Sequence, residues 1–136
     1  MRLAFALIVL SFLGSIAEAA PVDITIKECW EGNDHRGLSL CVSQRAASAR
    51  AHLESIENAI HNAIAKSKEP HGYLQPVQQS FAASIASYRS YRTIQCQLHE
   101  ALAAMGNGAA EIKLACEAEL DTNRAEQLKA GKWWLE

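Results

Sequence analysis

The stretch Leu38–Lys66, LSLCVSQRAASARAHLESIENAIHNAIAK, decides the fold. It holds no proline or glycine, and Ala49, Leu53, Ile56, Ile60 and Ala63 recur at alternating spacings of four and three. Residues so spaced lie above one another on a helix surface, so the stretch reads as an α-helix with one apolar stripe. The stripe is narrow and partly built of small residues, which suits close approach by another helix.

Reading outward, Pro70, Gly72 and Pro76 mark a reversal. A second helix is expected from about Tyr73 to Ala104, with Leu74, Val77, Phe81, Ile85 and Tyr88 on one face and Arg92 one turn beyond. Pro76 fits the first turn, where its missing N–H has no partner to lose. Gly106-Asn107-Gly108 supplies the next stop. A third helix is expected over about Ala109–Ala130, with Ile112, Cys116, Leu120 and Leu128 on its apolar side and Gly131 ending it. Glu117, Glu119 and Asp121 read as its solvated face. On the N-terminal side, residues 20–36 read as a short extended arm (Pro21 to Lys27) and then the turn Glu31-Gly32-Asn33-Asp34. No two-residue alternation is long enough for a sheet. The expected fold is all-α: a small antiparallel three-helix bundle stapled by two disulfides.

The first 19 residues have the pattern of a signal peptide. Arg2 gives a positive start, Leu3–Leu13 an apolar run too short to span a bilayer, and Ala17-Glu18-Ala19 a cleavage site. About 117 of the 136 residues remain, enough for a single domain over 20–136. The protein is thus expected to be periplasmic or secreted, and soluble once the leader is removed. In an oxidising compartment its four cysteines, Cys29, Cys41, Cys96 and Cys116, are expected to form disulfides. Three pairings are open. Local pairing is favoured: Cys29 with Cys41 closes the turn-rich entry, and Cys96 with Cys116 staples the second helix to the third. A zinc site is disfavoured because the spacing C-x-x-C is absent.

The net charge is −2, and residues 100–136 hold four Lys/Arg against seven Asp/Glu. That leaves no basic footprint for nucleic acid. No G-x-S-x-G, P-loop or dinucleotide fingerprint is present, so no cofactor is expected. His35, His52, His61, His71 and His99 form no i, i+4 pair, and no metal is expected. His52 stands beside the helix-one stripe, a half-buried position, and His71 falls in the turn. The chain reads as a non-enzyme.

Three blocks carry a family resemblance. The first is Cys29 and Cys41 followed by Leu53. The second is Tyr88-Arg89-Ser90-Tyr91-Arg92-Thr93-Ile94-Gln95-Cys96, with an aromatic eight residues and an arginine four residues before the cysteine. The third runs from Cys116 through Leu120 and Arg124 to Leu128, an apolar residue, an arginine and a leucine at four, eight and twelve beyond the cysteine. Together they resemble the small exported proteins of the LprI type, whose N-terminal domain is named for a lysozyme inhibitor. Tyr88 stands where that family usually has Trp, Asp121 where Thr is common, and Glu57 where Tyr is frequent. The resemblance implies a protein that blocks a lysozyme or another cell-wall hydrolase by protein–protein contact. The alternative is an envelope structural or interaction protein without lysozyme inhibition.

Of the candidate residues, Tyr88 and Arg92 are read first as structural, with Tyr88 packing between helices and Arg92 pairing with a carboxylate or with carbonyls near a helix end; the alternative is a surface patch in which Arg92 presents its donor fork to a partner. Arg124 is expected to cap carbonyls or pair with Glu117 or Asp121. Trp133 and Trp134 are candidates for partner contact, with one ring folding back over the bundle as the preferred arrangement. The sequence leaves the oligomeric state open.

Overall fold

The computed structural model describes residues 23–103 and 106–131, and these form four helices. They are α1 (Asp23–Trp30), α2 (His35–Lys66), α3 (His71–Leu102) and α4 (Ala109–Ala130). No strand occurs among the described residues. The expected leader and the Trp133–Trp134 tail lie outside the described residues. None of the described helices is long and apolar enough to cross a membrane.

The bundle therefore has one helix more than expected. Ile24, Thr25 and Ile26 are branched at Cβ and favour extended backbone, yet the segment is helical. Packing decides it, because a helix places Thr25 and Cys29 one turn apart and buries both. The Thr25 hydroxyl donates to Glu119 on α4 at 2.6 Å, and Cys29 bonds to Cys41 on α2. The expected turn follows α1. Gly32 takes a φ of 78°, and Asn33 donates through Nδ2 to the Cys29 carbonyl at 2.9 Å. Asp34 then caps α2, its carboxylate accepting from the Gly37 N–H at 2.8 Å.

Successive long helices run antiparallel, so α2 and α4 are parallel. The α4 helix is the hub, packing most widely on α2, then on α3, and also on α1. Its buried residues are small: Ala115, Cys116, Ala118 and Ala125, with Asp121 among them. Small side chains let α2 come close, and Val42, Ala46, Leu53, Ile60 and Ile64 of α2 are buried. This face is rotated slightly from the expected stripe. Glu57 and Ile64 are buried, whereas Ala49, Ile56 and Ala63 are only half-buried. The second disulfide, Cys96–Cys116, ties α3 to α4.

α2 and α3 each have 32 residues and α4 has 22. The α2–α3 hairpin consequently runs past the end of α4, and the apolar face of α3 is incompletely covered there. Val77, expected inside, is exposed, while Leu74, Phe81 and Ile85 are half-buried. α3 also starts at His71, two residues before the expected start, so His71 opens the helix and does not lie in the turn. Pro76 consequently falls in the second turn, not the first, and leaves the Gly72 carbonyl without its helical N–H donor. Gly108, with a φ of 127°, makes the entry to α4.

Candidate functional site

The main gathering of charged side chains lies between α2, α3 and α4, inside the bundle. Along α4, Ala118, Asp121 and Ala125 share the buried face at helical spacing, which carries the Asp121 carboxylate into the interior at 1% exposure. Tyr88 and Arg92, one turn apart on α3, meet it there. The Tyr88 hydroxyl donates to Asp121 Oδ1 at 2.7 Å. Arg92 Nη1 donates to Oδ1 at 3.2 Å and Oδ2 at 3.1 Å, and its Nη2 donates to Glu117 Oε2 at 3.1 Å. Arg50 of α2 approaches Glu117 at 3.8 Å. Three helices thus converge on two carboxylates one turn apart on α4. The reading of Glu117 and Asp121 as a solvated face is corrected: Asp121 is buried and Glu117 mostly so.

Arg124 pairs with neither acid. Its Nη2 donates to Ser84 Oγ at 2.5 Å, and its guanidinium carbon stands 5.6 Å from the centre of the Tyr88 ring. Glu57, at 6% exposure, accepts from Arg89 Nη2 at 3.3 Å through Oε2. Its Oε1 and the Nε of Arg124 are both buried without a hydrogen-bond partner.

Burial governs how these groups titrate. It raises the Asp121 carboxyl above its ordinary value, against the lowering effect of Tyr88 and Arg92. It raises Glu57 as well, only partly offset by Arg89. The Tyr88 phenol is pushed far up, first by burial and then by its hydrogen bond to Asp121, so it stays protonated and remains a donor. Held in this way, the Tyr88 phenol keeps its proton near neutral pH.

The other sequence candidates are dispersed. Leu53 is buried, and Leu120 and Leu128 are half-buried on α4. His35 packs edge-on against Trp30, with ring centroids 5.0 Å apart. His99 bonds to Gln95 at 3.2 Å. His52 is exposed, not half-buried. His61 lines an open groove of about 480 Å³ between α2 and α3, with Glu57, Ile64, Phe81, Ile85 and Arg89. Among the described residues, no three His, Cys, Asp or Glu side chains gather to hold a metal ion.

Sequence reasoning missed Asp121 and Glu57 as buried charges. The one signal available for Asp121 was its place between Ala118 and Ala125 on a face of small residues. No family model, curated protein or solved structure matches the chain.

Proposed function

We propose that this protein is an exported binding protein, periplasmic or secreted, that blocks a lysozyme-type cell-wall hydrolase by contact and performs no chemistry of its own. The observation that carries this reading is the inward direction of its charged cluster. Tyr88 and Arg92 of α3 and Asp121 and Glu117 of α4 satisfy one another between the two helices. Such an arrangement fixes a scaffold and leaves recognition to the surface. Two disulfides, compatible with an oxidising compartment, support export.

The LprI-type resemblance supplies the partner. Leu53, Tyr88, Arg92 and Arg124, which carry the motif, all face the interior. The three departures from the family pattern, Tyr88, Asp121 and Glu57, lie in one neighbourhood. The hydroxyl that tyrosine adds at position 88 is the group that donates to Asp121.

An inhibitor of this kind would obstruct a basic enzyme's cleft with a loop or helix end. An acidic C-terminal third favours encounter with a basic partner, but its charges here are largely engaged. Glu100 pairs with Lys113, Glu117 and Asp121 with Arg92, and Glu126 with Lys129. Association should therefore slow with added salt, by less than about tenfold between low and physiological ionic strength. The test is titration of the oxidised protein into lysozyme acting on cell walls at both salt levels. Stoichiometric inhibition is expected. Full lysozyme activity at roughly 10 µM protein, a level at which specific interfaces are occupied, would overturn the reading and leave the envelope interaction protein.

A further inference from the structure

The outer face of α3 carries a run of exposed apolar side chains. Tyr91 is 53% exposed, Ile94 65%, Leu98 52% and Leu102 74%. Their spacings of three, four and four place them in one stripe about 16 Å long. The residues beside them, Ser87, Ser90, Gln97 and Ala101, are exposed and uncharged. The charges of this part of α3 point elsewhere: Arg89 is held by Glu57, Arg92 by Asp121 and Glu100 by Lys113. Other exposed apolar residues, such as Leu40 on α2, stand apart from this stripe in the chain.

We infer that this stripe pairs with a second copy of the chain, α3 against α3 in antiparallel. Three features select a copy over another partner. The first is register. With the two-fold axis near Cys96, Ile94 of one copy faces Leu98 of the other, and Tyr91 faces Leu102. Each contact is thus made twice, as a two-fold interface requires. The second is charge. A face without ionised side chains brings two like-charged copies together without placing equal charges in contact, and antiparallel helices oppose their dipoles favourably. The third is area. Two such stripes bury on the order of 900 Å² in total, at the low end of specific interfaces, which suits a reversible dimer and not an obligate one. The Cys96–Cys116 bond behind the midpoint anchors α3 to α4.

Sedimentation velocity of the oxidised protein between roughly 1 and 500 µM, a span that brackets weak association, tests the pairing. The expected result is a concentration-dependent shift from monomer to dimer. Leu98→Lys places a charge at the centre of the seam and should weaken dimerisation at least tenfold, with helical content unchanged. Leu40→Lys, a comparable change at an exposed site on α2, should leave it intact. A wild type that remains monomeric throughout would overturn the inference. So would a Leu98→Lys variant that dimerises like the wild type, or a Leu40→Lys variant that loses the dimer equally. If the wild type stays monomeric while Leu98→Lys loses lysozyme inhibition, the stripe belongs to the enzyme and not to a second copy.

Discussion

Asp121 is held in an apolar setting by a phenol and a guanidinium, and its removal leaves the Tyr88 hydroxyl without its acceptor and Arg92 with Glu117 alone. Asp121→Ala is therefore expected to cost about 3–5 kcal/mol, the usual penalty for breaking one side of a buried ion pair, as read by urea unfolding. A loss below about 1 kcal/mol would place the interaction among weak surface pairs. Glu57 gives a prediction in pH. Its carboxyl binds its proton more tightly folded than unfolded, because burial raises its pKa above 4.5. The stability it contributes is thus fully present below that value and is lost as pH rises through the raised one. Glu57→Gln removes this loss, so the variant should gain on the wild type in unfolding free energy as pH rises from about 4 to 7, a range spanning the ordinary and raised carboxyl values. A gain that shrinks with pH would show that the Arg89 pair outweighs burial. Neither acid was legible as buried. Asp121 finds its partners 29 and 33 residues away, on another helix, and in its own neighbourhood it looks like one more acid on a polar helix.

The same division between local and distant causes applies to whole elements. The helix α2 could be read from its own residues, since length, period and absence of breakers all agree. The helix α1 could not. Its branched residues speak for extended backbone, and what makes it helical is the burial of Thr25 and Cys29 against other elements. The slight rotation of the α2 face has a related origin, for Glu57 is polar in sequence and buried because α3 and α4 meet it. Pro76 offers a test at this scale. It sits in the second turn of an exposed part of α3, where proline removes a hydrogen bond and crowds the preceding turn. Pro76→Ala should stabilise the protein by about 1–3 kcal/mol, measured by thermal or urea unfolding. A loss of stability would instead mean that the proline ring matters to the shallow groove it lines with Ile60, Ile64 and Phe81.

At the scale of the molecule, the helical class and the cysteine pairing were legible, because helical period and short cysteine separations are local features. The centrality of α4 was not, since its buried face is alanine, cysteine and aspartate and carries little hydrophobic signal. The disulfides close loops of 12 and 20 residues, and each is expected to contribute roughly 3 kcal/mol by chain entropy. Replacing Cys96 and Cys116 together by Ser should lower the melting temperature by about 10–18 °C. An unchanged melting temperature would contradict that role.

The central claim is that one buried carboxylate on α4, Asp121, ties α3 to α4. Native-state hydrogen exchange on the wild type and Asp121→Ala tests it most directly. The account predicts that the slowest amides lie in α4 between Ala115 and Ala125 and in the facing parts of α2 and α3, and that Asp121→Ala accelerates α3 and α4 together. Acceleration confined to α4, or slowest exchange at the overhanging end of the α2–α3 hairpin, would contradict it.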